Sequence, residues 1–200
     1  MIDLHMICCG DEKPPQDLIL PPEVKLHIVD GNKHGPWDGR RVGFAQGDRE
    51  WVTFADPDDI IVPGTLERIV EVIKNDDTVD MVGVNEIKRF AHNGKERYDP
   101  FVVHGMPAAF HHLTVFKRSK LDMDAMYPSH PLRGDMIHLA GKYLCTIKHV
   151  AYLDYPGYIW VRHPRLSVSD MMHIPAYDVL GIREEIKKAH PKISLICEEK

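Results

Sequence analysis

The chain is predicted to be α/β, with a largely parallel, doubly wound sheet, and three observations carry that prediction. Short apolar, β-rich runs at residues 4–9, 24–29, 51–55 and 80–84 are separated by loops or helical segments, the order a parallel sheet requires. Residues 65–74 place Leu66, Ile69, Val70 and Ile73 at helical spacing on one face, as in a crossover helix packed on a sheet. The second half is mixed, with the turn dipeptide Asn93-Gly94 between two short extended runs.

Each element follows from local chemistry. Strand 4–9 stops at Gly10 and the Pro14-Pro15 loop, and strand 24–29 closes on Asp30-Gly31-Asn32. Residues 35–39 read as a turn-rich loop and 40–46 as a short helix, before the buried strand 51–55. A turn through Ile60-Ile61-Val62-Pro63-Gly64 leads into helix 65–74 and strand 80–84. Runs 87–90 and 96–99 pair as a hairpin, and 113–116 is a strand leading into Lys117-Arg118-Ser119. A helix at 135–144, strands at 146–153 and 158–161, and a terminal helix at 176–190 stopped by Pro191 complete the expectation. This organisation predicts one domain over 1–175, divided into halves 1–85 and 86–175, followed by a helix and tail over 176–200.

The totals are those of a soluble globular protein: 200 residues, 44% hydrophobic and 28% charged. A formal charge of −5 gives no global attraction to nucleic acid or anionic lipid. Met1-Ile2-Asp3-Leu4-His5-Met6 lacks a signal peptide's basic start and apolar core, and no apolar run is long enough for an integral membrane segment. Cys8, Cys9, Cys145 and Cys197 show no Cys-x-x-Cys spacing, so reduced structural thiols in a cytoplasmic protein are expected.

The most informative stretch is Asp56-Pro57-Asp58-Asp59, directly after strand 51–55. Open α/β sheets bind ligands at the carboxyl ends of their strands. Clustered carboxylates repel one another unless a cation or water neutralises them, and oxygen ligands suit Mg²⁺ or Mn²⁺. An acidic turn in which Asp59 caps the following helix is the plainer alternative.

In ordered succession the chain resembles the family 2 glycosyltransferases of GT-A fold. Phe54-Ala55-Asp56-Pro57-Asp58-Asp59, with Pro63-Gly64 after it, is similar to that family's Asp-x-Asp strand end. Arg40-Arg41-Val42-Gly43-Phe44-Ala45-Gln46-Gly47 resembles the Arg-rich lead-in helix. Val115-Phe116-Lys117-Arg118-Ser119, Arg133-Gly134-Asp135-Met136 and Tyr158-Ile159-Trp160-Val161-Arg162-His163, with Ser167 and Ser169, resemble later motifs over roughly residues 2–169. Cys8-Cys9-Gly10 stands where many members have Tyr-Asn, Asp30-Gly31-Asn32 shortens an Asp-Asp-Gly-Ser turn, and Gly134 replaces a glutamate.

The resemblance implies a GT-A-like, Rossmann-related sheet with a mixed acceptor-side half. It also implies metal-dependent, inverting transfer of a sugar from a nucleotide-sugar, such as a UDP-sugar, to an acceptor hydroxyl. It assigns Asp58 and His163 to the metal; the nitrogen favours Mn²⁺ over Mg²⁺. Asp30, Arg40, Arg41, Asp56 and Arg162 would bind the nucleotide-sugar, with Arg165 flanking His163, Asp59 in support and Asp135 as the base. Each residue also has a plainer reading: an Asx turn at Asp30, solvated arginines, a helix-start carboxylate at Asp135 and a solvated His163. His111-His112 either lines the acceptor cleft or forms a buried structural pair, and Trp37 and Trp160 either stack on a ring or belong to the core.

Lys88-Arg89, Lys95, Arg97, Lys117-Arg118 and Lys120 concentrate positive charge in the second half. They would serve an anionic acceptor, a saccharide first and modified DNA second, and scattered solubilising lysines are the plainer reading of the same residues. A nucleotidyltransferase of similar topology would carry a Gly-rich phosphate loop, of which Cys9-Gly10-Asp11-Glu12-Lys13 is a poor version. A degenerate sugar-binding relative is the non-enzymatic alternative. The oligomeric state is not encoded in any motif.

Overall fold

In the computed structural model of the chain, the described residues are 1–31, 35–103, 106–107, 112–121, 147–163 and 192–196. Strand β1 (Ile2–Cys8) is the axis of the N-terminal half, and all seven of its residues are buried. Strands β2 (Val24–Asp30) and β3 (Trp51–Ala55) flank it in parallel, and helix α1 (Gly35–Gln46) packs across β1 and β2. Burial on both faces explains the near-continuous apolar runs at 4–8 and 51–55.

The turn-rich reading of residues 35–39 is corrected by α1, which takes them in as its first turns. The glycines there serve packing. A Cβ on Gly39 would come within 2.5 Å of Ile7, and one on Gly43 within 3.1 Å of His5 and Val29. Small residues one turn apart let this helix lie close on the sheet.

The main sheet runs β11 (Lys192–Ile196), β10 (His149–Arg162), β5 (Met81–Phe90), β9 (Val115–Lys117), β3, β1, β2. Two further strands attach to it: β4 (Ile60–Ile61) to β10 and β6 (Glu96–Asp99) to β5. Strands β1, β2 and β3 are mutually parallel, as are β5, β10 and β11, and β9 runs antiparallel between β3 and β5. Six strands therefore point their carboxyl ends to one edge. A separate antiparallel ribbon pairs β7 (Val102–Val103) with β8 (Met106–Pro107).

Helix α2 (Thr65–Asn75) buries Leu66, Ile69, Val70, Val72 and Ile73, the face its periodicity predicts. Its N-cap is Gly64 at φ 84, with no side-chain cap, so Asp59 does not cap it. Between Asp59 and α2, residues 60–61 form β4 rather than a simple turn and pair with Tyr158 and Ile159.

Runs 80–84 and 87–90 merge into the single strand β5, and 146–153 and 158–161 into β10. The register of β10 against β5 slips on either side of Pro156. At this slip the Gly157 carbonyl accepts from Val62 N–H at 3.0 Å and from the Thr65 hydroxyl at 3.2 Å. A Cβ on Gly157 would stand 2.8 Å from Thr65 and 2.9 Å from Val84, so the irregular strand admits only glycine there.

The hairpin β5–β6 matches expectation, with Gly94 at φ 66. Residues 192–196, expected within the terminal tail, add an edge strand to the sheet. The helices expected at 135–144 and 176–190 lie outside the described residues. No helix among the described residues is long and apolar enough to cross a membrane.

The amino edge of the sheet is tied by one buried carboxylate. Asp3 is fully buried and accepts from Arg49 N–H at 2.8 Å and Arg118 Nη2 at 2.7 Å, with His27 Nε2 at 2.7 Å on its other oxygen. Arg118 also donates to the carbonyls of Arg49 at 2.6 Å and Phe44 at 2.7 Å. This knot joins β1, β2, the end of α1 and the turn before β3 to the 3₁₀ turn Arg118–Lys120 that follows β9. Burial pushes the Asp3 carboxyl up, but the Arg49 N–H and His27 outweigh it and hold the pKa below its usual value. Removing one member of such a buried set leaves the others uncompensated. Asp3→Ala is expected to cost about 3–5 kcal/mol in urea unfolding, and a loss under about 1 kcal/mol would show that the knot is not structural.

Candidate functional site

The site begins where β3 ends. Every residue of β3 is buried, and the Thr53 hydroxyl donates to the Thr114 carbonyl at 2.9 Å, anchoring β3 beside the chain that enters β9. The backbone then emerges at the carboxyl edge as Asp56-Pro57-Asp58-Asp59, closed by an Asp59 N–H to Asp56 carbonyl bond of 3.3 Å.

Asp59 turns inward and is 4% exposed. Its Oδ2 accepts from the Tyr158 hydroxyl at 2.7 Å, and its Oδ1 accepts from Val161 N–H at 2.7 Å. The same hydroxyl accepts from Asp56 N–H at 3.3 Å. Tyr158 thus clasps both ends of the turn, and the Asp56 and Asp58 side chains remain 32% and 42% exposed. The buried guanidinium of Arg40, from α1, donates to Asp56 Oδ1 at 3.2 Å. On the outer side, His163 Nε2 stands 3.3 Å from Asp58 Oδ2.

His112 closes the inner side. It is buried, its Nδ1 meets Glu86 Oε2 at 3.0 Å, and its Nε2 lies 3.8 Å from Asp56 Oδ2. Its ring stacks on Tyr158 with centroids 5.3 Å apart and an interplanar angle of 8°. Leu113, at φ 48, turns the chain so that His112 bridges to Phe54 and Leu113 N–H reaches the Phe54 carbonyl. A leucine in the left-handed region is strained, and here that strain sits beside the site. A carboxylate behind a histidine fixes its ring, as it does for metal-ligating histidines.

Burial pushes the Asp59 carboxyl up to about 7, with the Asp56 charge adding to it, against His112, the Val161 N–H and Tyr158. Burial also raises Asp58, reinforced by Asp56 and Glu12 and opposed by His163. For His112 burial works downward, but the Glu86 bond and the charges of Glu86, Asp56 and Asp59 leave it raised. Two sets of ligand atoms result. Asp56, Asp59 and His112 bring ligand atoms within 4.8 Å of one another, and Asp58 with His163 forms a second set. Asp59 and His112 already have hydrogen-bond partners, whereas Asp58 and His163 face outward.

Of the residues expected at the site, Arg40, Asp56, Asp58 and His163 come together. Asp30 ends β2 opposite Cys8 at the same edge, and its charge acts on the Cys9 thiol along with those of Glu12, Asp56 and Arg40. Arg162 is half-buried at the end of β10, and Arg41 is exposed on α1. Asp135, Arg165, Ser167, Ser169 and His111 lie outside the described residues, as does the Trp37 side chain. Lys117, Arg118 and Lys120, expected to help attract an acceptor, sit instead at the amino edge and pair with Glu50, Asp3 and Asp80. Antiparallel β9 carries them away from the site.

Sequence reasoning did not anticipate the Tyr158 clasp or Glu86. The signal for Glu86 was available: with Lys88 it continues the buried alternation of Val82 and Val84 along one face of β5.

The family model described as Glycosyl transferase family 2 matches residues 18–130. The chain belongs to glycosyl transferase family 2. The matched span contains Arg40, the acidic turn, Glu86 and His112. The fold is similar to S. aureus TarS 1–349 in complex with UDP-GlcNAc, with a TM-score of 0.57 and 17% identity over 83% of this chain and 50% of that chain. The complex of TarS 1–349 with UDP gives 0.52 and 17% over 83% and 48%, and TarS 1–349 alone gives 0.56 and 14% over 94% and 71%. These likenesses establish the GT-A fold of this family 2 chain, which spans about half the length of the two nucleotide-bound structures. No curated protein matches the chain in sequence.

The shifts at Asp59 and His112 have one sign. The fold favours protonated Asp59, so that contribution falls as pH rises from about 4 to about 7. His112, raised from its ordinary value, likewise loses its contribution as pH rises. A divalent cation favours ionised carboxylates and competes with their protons. Asp58, raised by burial beside His163, must be ionised to hold a cation, so the rise in melting temperature given by Mn²⁺ is expected to grow as pH rises above about 4. A shift independent of pH would contradict this coupling.

Proposed function

We propose that the chain transfers a sugar from a nucleotide-sugar to an acceptor hydroxyl, with inversion and with the help of a divalent cation, in a cytoplasmic setting. The observation that carries this reading is the outward pair Asp58–His163 beside Arg40-held Asp56, at a carboxyl strand end of a family 2 chain. A UDP-sugar is the donor class, because the similar TarS structures contain UDP and UDP-GlcNAc.

The residues fit a cation. Asp58 and His163 would hold it, with Asp56 reaching the donor ribose or a metal-bound water, and a nitrogen ligand favours Mn²⁺ over Mg²⁺. A cation bound there would neutralise charge on the leaving diphosphate as a Lewis acid. The remaining roles belong to the chain. Arg40 fixes the direction of Asp56, and Tyr158 with Val161 N–H keeps Asp59 turned away from the ligand. Asp30, at the end of β2, suits the base or ribose, and Arg41 and Arg162 supply positive charge for the diphosphate. In transfer, the acceptor oxygen bonds to the anomeric carbon as the bond to the diphosphate oxygen breaks. Asp135 takes the acceptor proton. A single displacement of this kind inverts the anomeric centre.

A thermal-shift titration with UDP tests the reading. UDP with Mn²⁺ is expected to raise the melting temperature more than either alone, and Asp58→Ala to abolish the Mn²⁺-dependent part. UDP binding that is indifferent to Mn²⁺ in the wild-type protein would remove the cation from the proposal.

A further inference from the structure

Beyond the acidic turn, the carboxyl edge continues along β5, β6 and β10, on the side of β3 away from β1 and β2. Register sets the side chains in rows. Asp99, Glu86 and Tyr158 form one row, and Arg97, Lys88 and Trp160 form the next. Arg162, opposite Phe90, begins a third. His112 touches this surface as well, its ring centroid 5.3 Å from that of Trp160.

Lys88 is the unusual member. It is 8% exposed, and its ammonium lies 3.8 Å from the centroid of the Trp160 ring. Among the described residues no carboxylate forms an ion pair with it. The nearby carboxylates are engaged: Asp99 by Arg97 at 2.7 Å and Glu86 by His112 at 3.0 Å. Burial lowers the Lys88 pKa, and Arg97 and Arg162 press the same way against Asp99 and Glu86. A mostly buried ammonium whose neighbouring carboxylates are already bonded elsewhere is costly, and its charge is left to be completed by an anion from outside.

We propose that Lys88, held by Trp160 and flanked by Arg97, binds an acidic group of the acceptor, which makes the acceptor an anionic saccharide bearing carboxylate or phosphate. This rests on the transferase reading, and names the acceptor class for the same cleft. The acceptor is favoured over the nucleotide because the patch lies across the acidic turn from Arg40, Asp30 and Cys9. A saccharide is favoured over nucleic acid because Glu86 and Asp99 interleave with the cations in a chain of net charge −5. A continuous phosphate backbone would meet carboxylates at each step, whereas one acidic group among hydroxyls would not.

The test is calorimetric titration of the full chain, in Mn²⁺ and UDP, with four probes. These are an oligogalacturonate, a phosphorylated mannan fragment, a neutral maltooligosaccharide and a single-stranded DNA oligomer. At least one acidic saccharide is expected to bind better than the neutral one and than DNA, and the preferred arm tells carboxylate from phosphate. Lys88→Met should weaken that binding by about tenfold or more, with UDP affinity unchanged and a melting temperature no lower than wild type. Lys88→Gln, which keeps a donor without the charge, should lose binding too and serves if the methionine variant misfolds. Equal binding of neutral and acidic saccharides, tightest binding of DNA, undiminished binding by both variants, or loss of UDP affinity instead would each overturn the assignment. Failure of UDP to bind wild type would sink the transferase reading separately, while the saccharide titrations still decide Lys88.

Discussion

The site depends on one buried carboxylate and the tyrosine that holds it. Asp59 enters the protein between β4 and β10, where the Tyr158 hydroxyl and Val161 N–H satisfy its two oxygens. An unpaired carboxylate there would carry a desolvation cost of several kcal/mol, so the turn has essentially one way to fold. That choice decides the direction of its neighbours. With Asp59 inside and Asp56 N–H on the same hydroxyl, Asp56 and Asp58 are left to face the edge of the sheet. The irregular register of β10 and the bare backbone of Gly157 bring Tyr158 to this position.

Around that clasp the molecule separates stability from reactivity. At the amino edge, Asp3 and Arg118 gather β1, β2, α1 and the chain around β3 into a fully satisfied knot. At the carboxyl edge, charges are kept under tension: Asp58 and Asp59 raised by burial, His112 raised by Glu86, Lys88 lowered by burial. Groups raised or lowered by burial at one strand edge mark a candidate functional surface, whereas Asp3 at the other edge is lowered by its own partners and marks a structural one.

Much of this was legible in the residues. Apolar runs gave the parallel strands, the periodicity of 65–74 gave the buried face of α2, and the Asp-x-Asp segment after β3 gave the location of the site. Local propensity misled at 35–39, where glycines that look like turn formers let α1 approach Ile7 and His5. It misled again at Asp59, whose position before a helix suggests a cap although its partners lie about a hundred residues away on β10. Contacts of that separation leave no local pattern. The basic residues divide by strand direction: Lys88 and Arg97 reach the site edge, while Lys117, Arg118 and Lys120 reach the opposite one. Composition cannot sort them before the sheet order is known.

The proposed transfer turns on which side chains meet a cation beside a diphosphate. Pulsed electron paramagnetic resonance of the protein with Mn²⁺ and UDP reads this directly. The expected spectrum contains a phosphorus coupling from UDP and a nitrogen coupling that disappears in His163→Gln and persists in His112→Gln. A nitrogen coupling that follows His112 would place the cation in the inner set, and a spectrum with neither coupling would contradict the account altogether.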